Sequence, residues 1–139
     1  MEQELEQMRS YITHHRQEML RLWEELVNTE SGPQQRDGVE AIIDILRREM
    51  SDAGIQSQVL PMGKAGSLLI GSYDGPKDRA PILLIGHTDT VFEPGATQEN
   101  PFHIDGEGLA HGPGCLDMKG GLVIALYAVK ALSAIGWRD

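Results

Sequence analysis

Two short motifs, each beside an apolar segment, constrain the fold of this chain more than any other feature. The first, Gly-His-Thr-Asp-Thr at 86–90, directly follows the apolar run Ile82-Leu83-Leu84-Ile85. The second, Gly-Pro-Gly-Cys-Leu-Asp-Met-Lys-Gly-Gly at 112–121, leads into an apolar helical pattern. A continuous apolar run of this length is typical of a strand buried on both faces. Because ligands of open α/β sheets bind beyond the carboxyl ends of strands, the motifs predict a functional site at a sheet edge.

The hydrophobic periodicity of the whole chain predicts an α/β layer architecture. Apolar residues recur in steps of three and four where helices are expected, and they alternate or run continuously where strands are expected. The predicted elements are helices over 3–28, 36–53 and 121–135, strands at 56–60, 67–73 and 81–86, and a hairpin within 102–110. We therefore expect a mixed sheet flanked by helices, with residues 81–86 as its central strand.

The composition limits the classes of partner and compartment. With 139 residues, the chain suits one domain and is long enough to bury a core. Its formal net charge of −9 argues against nucleic acid, which a basic patch would recognise. No apolar run approaches membrane-span length, the charged N-terminus lacks the apolar core of a secretory signal, and Cys115 alone cannot form an internal disulfide. We therefore expect a cytoplasmic protein with neither a membrane nor a nucleic-acid partner.

The residue types in the two motifs suit a divalent metal ion. Zinc accepts imidazole nitrogen and carboxylate oxygen at about 2.0–2.2 Å, so His87 and Asp117 are candidate ligands. Residues two apart in an extended segment share a face, which puts Asp89 near His87, either as a group that orients the imidazole or as a partner of the metal-bound water. Asp117 lies in a glycine-rich turn, and its two oxygens allow it to bridge two ions. We therefore assign His87 and Asp117 as metal ligands and Asp89 to the catalytic set.

Each motif residue also has a simpler structural explanation. His87 could be a hydrogen-bonded loop residue, Asp89 a turn cap and Asp117 the N-cap of the following helix. Lys119 is expected to lie in solvent or to bond a loop, without a functional role. The glycines at 112–114 match part of a dinucleotide-binding loop, but Asp117 occupies the position of its third glycine. Because a carboxylate there would repel a pyrophosphate, we exclude a Rossmann cofactor site.

The remaining candidate ligands are expected to be structural. His111 lies next to the glycine-rich loop, but we expect no ligand there. His103 is expected to face solvent from a strand, and His15 to be buried and hydrogen-bonded on the apolar stripe of the first helix. Cys115 is expected to pack as a small apolar side chain.

The paired motif resembles that of the co-catalytic di-zinc aminoacylase and carboxypeptidase family, which includes acetylornithine deacetylase and succinyl-diaminopimelate desuccinylase. The family pattern is a strand, then His-x-Asp-Thr/Val, then Gly-x-Gly-x-x-Asp-x-Lys-Gly-Gly, and both halves occur here in order. The Gly-Pro-Gly at 112–114, in place of the commoner Gly-Arg-Gly, is most similar to the glutamate carboxypeptidase branch, as is Asn100-Pro101-Phe102. The turn at 28–32 and Gly38-Val39 also resemble family features. The resemblance therefore covers nearly the whole chain.

This resemblance implies a fold, a cofactor and a role for each site residue. The fold is the three-layer α/β arrangement of zinc exopeptidases, with residues 1–139 as the N-terminal part of a catalytic domain. His87 is implied as a ligand of one zinc ion, Asp117 as the bridge between two, and Asp89 as the acid that orients His87. Cobalt and manganese are the alternative ions. A cis peptide bond between Asp117 and Met118 is also implied.

The family pattern continues past this sequence. A Glu-Glu pair on the next strand supplies the general base and a further zinc ligand, other ligands follow, and an inserted lid domain dimerises. We therefore expect the remainder of the catalytic domain and the lid to be absent from 1–139, and a full-length form to be a homodimer. A zinc site normally takes at least three protein ligands. The 139-residue chain alone is thus expected to bind zinc weakly and not to catalyse.

Two hypotheses for the function follow. The first is a segment of a zinc-dependent metallopeptidase or amidohydrolase, whose parent enzyme hydrolyses an amide next to a free carboxylate, in the specific form of a carboxypeptidase that releases glutamate. Its substrates would be small peptides or N-acyl amino acids. The alternative is a catalytically inactive half-domain that serves as a structural or interaction module. The two differ in whether the natural chain continues past Asp139 or a companion chain supplies the Glu-Glu strand.

Overall fold

Helices and two small antiparallel sheets make up the part of the chain that the structure describes. The computed structural model describes residues 2–75, 78 and 80–137. Both ends of the predicted segment 1–139 therefore lie outside the described residues. The helices are α1 (Glu2–His14), α2 (Arg16–Asn28), α3 (Arg36–Asp52), α4 (Ala96–Glu99) and α5 (Gly120–Ala134). The strands are β1 (Gln56–Pro61), β2 (Ser67–Ser72), β3 (His103–Ile104) and β4 (Ala110–His111).

The helix predicted over 3–28 is present as two segments, α1 and α2, that meet at His15. Hydrogen bonds from His15 N–H to the Tyr11 carbonyl (3.0 Å) and from Met19 N–H to the His15 carbonyl (2.9 Å) carry the helical pattern across the junction. The His15 ring stacks on Tyr11 with centroids 3.9 Å apart, and its Nδ1 donates to the Tyr11 carbonyl at 2.8 Å. His15 is therefore hydrogen-bonded, as predicted, although it is only partly buried.

The core lies where α2, α3 and α5 pack together with the β1–β2 hairpin. Helix α3 matches the segment predicted over 36–53, and Gly54 follows it with a φ of +69°, which suits glycine at the end of a helix. The hairpin pairs Gln56 with Ser72 in antiparallel register, which confirms both predicted strands. The core cluster consists of Leu22, Leu26, Ile42, Ile45, Leu46, Ile55, Val123, Leu126 and Tyr127.

Helix α5 and the β3–β4 hairpin border the second motif. The hairpin confirms the prediction for 102–110 and places His103 opposite His111. The segment 121–135 is apolar nearly all round, which predicts a buried helix. Helix α5 does bury Tyr127, but Ile124 is 67% exposed, so the burial is only partial. Helices α1 and α2 pack against α5. Among the helices of the described residues, none combines the length and the hydrophobicity that a membrane span needs.

The predicted central strand at 81–86 is wrong. The described residues form two separate pairs, β1 with β2 and β3 with β4, and this segment belongs to neither. The side chains of Ile82, Leu83 and Ile85 are 87, 78 and 81% exposed. The segment has the composition of a buried strand, but a central strand also needs backbone hydrogen-bond partners on both sides. No described segment supplies them, so the α/β class is confirmed while the mixed sheet is replaced by two hairpins.

Candidate metal centre

His87 belongs to the first motif, which the turn between α2 and α3 holds in place. We call residues 29–31 the anchoring turn. The Ser31 hydroxyl donates to the Thr88 carbonyl at 2.8 Å, and the Thr90 N–H donates to the Ser31 carbonyl at 2.9 Å. Ser31 is 1% exposed and Thr90 is 9% exposed, so both bonds are shielded from water. The position of His87 is therefore fixed from its C-terminal side.

Asp117 belongs to the second motif, which approaches the first closely. Gly114 has a φ of +71°, and a Cβ there would lie 2.5 Å from the side-chain methyl of Thr90. Asp117 and Met118 depart from helical backbone angles just before α5, and the peptide bond between them is cis, as the resemblance implies. The His87 N–H donates to the Met118 sulfur at 3.4 Å. The two motifs are thus in direct contact.

The imidazole of His87 lies between two acidic residues. Its Nε2 donates to Asp117 Oδ1 at 3.0 Å. Its Nδ1 donates to the backbone carbonyl of Asp89 at 3.0 Å and lies 3.3 Å from Asp89 Oδ1. The side chains of His87, Asp89 and Asp117 are 45, 68 and 86% exposed. The structure therefore brings together all three residues that the sequence analysis selects for the site.

The charges around His87 favour its protonated form. The hydrogen bond to Asp117 is the largest influence and raises the pKa of His87, the Asp89 carbonyl and both carboxylate charges add to this, and burial opposes it. Both ring nitrogens face oxygen acceptors, which is the pattern of an imidazolium that donates twice. A metal ion would compete with the proton on Nε2. Any metal ion that bound at Nε2 would therefore bind more weakly as the pH falls through the pKa of His87.

The three residues open onto a cleft of about 310 Å³, which Phe92 and Leu116 also line. Imidazole nitrogen and carboxylate oxygen are donors that zinc accepts, and the contact of Nδ1 with Asp89 leaves Nε2 for an ion. Within residues 2–75, 78 and 80–137, no group of three or more His, Cys, Asp or Glu side chains could hold an ion. The residues present therefore fit part of a zinc site, with His87 and Asp117 as its donors.

Lys119 is buried beside the site, although the sequence pattern predicts no buried lysine there. It is 1% exposed, and its Nζ donates to the Thr29 carbonyl at 2.7 Å. Burial lowers the pKa of Lys119 to about 8, while the negative charge of Glu30 opposes this shift. The expectation of a solvated lysine is wrong, whereas that of a loop bond is confirmed. No local sequence signal marks this burial, because the acceptor of the lysine is the Thr29 carbonyl, 90 positions away.

His103 and His111 form a separate contact on the β3–β4 hairpin. Their rings stack with centroids 4.8 Å apart, and His111 Nε2 donates to Asp105 Oδ2 at 2.7 Å. This hydrogen bond is the main cause that lowers the pKa of Asp105 to about 2. His103 is exposed on its strand, as predicted. Cys115 is partly buried, with its S–H directed at the Ala110 carbonyl at 3.5 Å, which agrees with a packing role.

Comparison with known proteins matches part of this sequence to one family. Residues 83–139, which include His87, Asp117 and α5, match the model of Peptidase family M20/M25/M40. Residues 83–139 carry a segment of peptidase family M20/M25/M40. The resemblance to aminoacylases and carboxypeptidases that the paired motif suggests is therefore confirmed at the level of the family.

Three curated relatives of this M20 segment are hydrolases by name. Carboxypeptidase G2 of Pseudomonas sp. (strain RS-16) is 31% identical over 125 residues, which are 87% of this chain and 29% of that protein. Succinyl-diaminopimelate desuccinylase of Hydrogenovibrio crunogenus is 31% identical over 121 residues, 81% of this chain and 29% of that protein. Acetylornithine deacetylase of Pasteurella multocida is 34% identical over 95 residues, 66% of this chain and 24% of that protein. The chain thus spans less than a third of the length of each.

Proposed function

We propose that the chain is the metal-binding segment of a zinc-dependent metallopeptidase or amidohydrolase. The observation that carries this proposal is the approach of His87 Nε2 to Asp117 Oδ1 at 3.0 Å on the wall of a cleft, with Nδ1 turned to Asp89. The names of the relatives, a carboxypeptidase, a deacetylase and a desuccinylase, support hydrolysis of an amide. The parent enzyme would cleave an amide next to a free carboxylate, in the specific form of a carboxypeptidase that releases glutamate.

Each site residue has a defined task in this proposal. His87 and Asp117 hold the metal, and the second carboxylate oxygen of Asp117 is available to a second ion. Asp89 holds Nδ1, so that the ring presents Nε2 to the cleft. Zinc, when bound, supplies a Lewis acid that polarises the carbonyl of the substrate amide. Two protein ligands are fewer than zinc normally takes, so further ligands and the general base come from elsewhere in the parent enzyme.

We also propose the substrates, the assembly and the compartment of the parent enzyme. Small peptides and N-acyl amino acids are the substrates, because both offer an amide beside a carboxylate. The parent enzyme is a homodimer. It works in the cytoplasm. The single cysteine of this sequence is consistent with that compartment, because disulfides are disfavoured where conditions are reducing.

Hydrolysis by the product of the native gene tests this proposal. The substrates would be an N-acetyl amino acid, an N-succinyl amino acid and a dipeptide that ends in glutamate, each with zinc and with a chelator. The matched variants are His87→Ala and His103→Ala, because His103 is an exposed histidine outside the cleft lining. We expect zinc-dependent hydrolysis of at least one substrate, lost in His87→Ala and kept in His103→Ala. Hydrolysis that survives His87→Ala, or no hydrolysis by the zinc-loaded protein, would contradict the proposal and favour a structural module.

A further inference from the structure

The fixed separation of His87 and Asp117 needs a structural cause. The two residues are 30 positions apart, and their side chains are 45 and 86% exposed. The segment 81–86, which leads into His87, has no strand pairing among the described residues. Ligands with so little packing of their own depend on groups that hold the backbone segments around them.

The anchoring turn contacts the segments of both ligands. Ser31 forms two hydrogen bonds with the first motif, from its hydroxyl to the Thr88 carbonyl at 2.8 Å and from the Thr90 N–H to its carbonyl at 2.9 Å. Lys119 of the second motif donates from Nζ to the Thr29 carbonyl at 2.7 Å. One turn of three residues therefore joins two segments that are distant in the sequence.

Burial makes these contacts hard to replace with water. Ser31 and Lys119 are each 1% exposed. Among the described residues, every buried side-chain nitrogen or oxygen has a hydrogen-bond partner. A buried polar group that loses its partner retains the cost of its desolvation, and the cost is greater for a charged group. The two segments are thus held to the turn by bonds that the protein cannot exchange for solvent.

Other contacts fix the anchoring turn independently of the proposed metal site. The Glu30 carboxylate accepts hydrogen bonds from the Gly95 N–H at 2.8 Å and from the Thr97 N–H and hydroxyl at 3.1 and 2.8 Å. It also accepts one from Gln35 Nε2 at 2.7 Å. Helix α3 lies against the turn so closely that a Cβ at Gly38 would be 1.6 Å from the Glu30 carbonyl oxygen. The turn is therefore a rigid reference for both ligand segments.

We infer that the anchoring turn sets the separation of the two metal ligands before an ion binds, with Ser31 and Lys119 as positioning residues. Ser31 acts on the segment that carries His87, and Lys119 acts on the segment that carries Asp117. Neither side chain is a ligand. The inference rests on the proposed metal-binding function, and it gives a role to a buried lysine that the proposed chemistry does not use.

A matched pair of lysine variants tests the role of Lys119. Lys119→Met removes the ammonium group and keeps most of the side-chain volume. Lys130→Met makes the same change on α5, where the lysine side chain is 11% exposed and pairs with Glu49 at 2.7 Å. Titration with Co²⁺, followed by the visible absorption of the bound ion, reports affinity and coordination together. We expect Lys119→Met to bind Co²⁺ about 10–100-fold more weakly with an altered spectrum, and Lys130→Met to match the wild-type chain.

A matched pair of serine variants gives a second, milder test. Ser31→Ala removes the hydroxyl that holds Thr88, and Ser133→Ala removes a hydroxyl that donates to the Ala53 carbonyl at 3.1 Å away from the site. We expect about tenfold weaker Co²⁺ binding for Ser31→Ala and none of this loss for Ser133→Ala. This pair decides the question if Lys119→Met does not fold. Equal Co²⁺ affinities within each pair would overturn the inference.

Hydrogen exchange without metal separates the failure of this inference from the failure of the proposed function. The amides of Thr90, Gly95 and Thr97 donate to the anchoring turn, so their exchange reports its integrity. We expect exchange at these amides to rise at least about tenfold in Lys119→Met and to stay unchanged in Lys130→Met. Unchanged exchange in Lys119→Met would refute the positioning role. A different outcome is also possible: the wild-type chain binds no Co²⁺, while exchange at these amides still rises in Lys119→Met. That outcome would refute the proposed metal function and not the role of Lys119 in holding the turn.

Discussion

At the scale of single residues, the site depends on how Asp89 presents the ring of His87. His87 Nδ1 is 3.0 Å from the Asp89 backbone carbonyl and 3.3 Å from the Asp89 carboxylate oxygen. The carboxylate therefore provides only one of the two contacts that orient the ring. Asp89→Asn keeps the backbone contact and removes the negative charge. We expect about tenfold weaker zinc binding, at the low end of the range for groups that orient a histidine ligand, measured by calorimetric titration. Asp52→Asn, an exposed change at the end of α3, is the control, and equal affinities of the two variants would show that Asp89 has no orienting role.

The site residues differ in how far the sequence reveals them. The proximity of His87 and Asp117 could be predicted, because the two motifs that carry them form one recognisable pair in the sequence, and the structure brings Nε2 within 3.0 Å of Asp117 Oδ1. The position of Lys119 could not be predicted, because lysine is almost always exposed, and its burial depends on the Thr29 carbonyl, 90 positions away in the sequence. Local patterns thus identify the groups that face the cleft, whereas the groups that hold them require the tertiary structure.

At the scale of structural elements, the contact between α3 and the anchoring turn reverses the usual effect of a glycine substitution. Alanine in place of a helical glycine normally stabilises a helix by about 1 kcal/mol. At Gly38 the added Cβ would lie 1.6 Å from the Glu30 carbonyl oxygen, so the turn or the helix must move. We expect Gly38→Ala to lower the free energy of unfolding in urea by about 1–3 kcal/mol. Gly106→Ala, where the added Cβ meets nothing within 4 Å, is the control, and a stabilised Gly38→Ala would contradict the packing described for the turn.

The loop that follows the first motif depends on the charge of Glu30. Its hydrogen bond from the Gly95 N–H, with others from Thr97 and Gln35, lowers the pKa of Glu30 from 4.5 to about 2. Because this pKa is lower in the folded chain, its contribution to stability is present above about pH 4.5 and is lost as the pH falls towards 2. We expect Glu30→Gln to be less stable at neutral pH and to lose less stability than the wild-type chain over this interval.

Urea unfolding at several pH values measures the effect of Glu30. The control is Glu25→Gln, which makes the same change in charge on α2, where Glu25 contacts Arg48 at 3.2 Å. If the Glu30 and Glu25 variants lose stability in parallel as the pH falls, the contacts of Glu30 do not contribute as described.

The segment 81–86 shows where sequence patterns fail at this scale. Periodicity reports the composition that a buried strand needs, and Ile82 to Ile85 have that composition. It does not report whether neighbouring strands exist, and the described residues provide none for this segment. Strands β1 and β2 could be predicted correctly because each pairs with the other in a local hairpin, so neither needs a distant partner.

At the scale of the whole molecule, stability depends on an apolar core that contains none of the candidate ligands. The core joins α2, α3 and α5, and Leu26 is fully buried within it. Leu26→Ala should lower the free energy of unfolding by about 2–5 kcal/mol through lost burial and the cavity it leaves, measured by urea denaturation. Leu5→Ala, at a leucine of α1 that is 50% exposed, is the control. A loss equal to that of Leu5→Ala would show that the packing of the three helices is not the source of stability.

The most direct test of the account is a calorimetric zinc titration of the chain at neutral pH, with His87→Ala, Asp117→Asn and His103→Ala beside the wild type. We expect weak binding by the wild-type chain, retained in His103→Ala and lost in both His87→Ala and Asp117→Asn. This follows because His87 Nε2 and Asp117 Oδ1 face one another at 3.0 Å as the two donors of the site. Zinc binding that survives the loss of either ligand, or no binding by the wild-type chain at saturating zinc, would contradict the account.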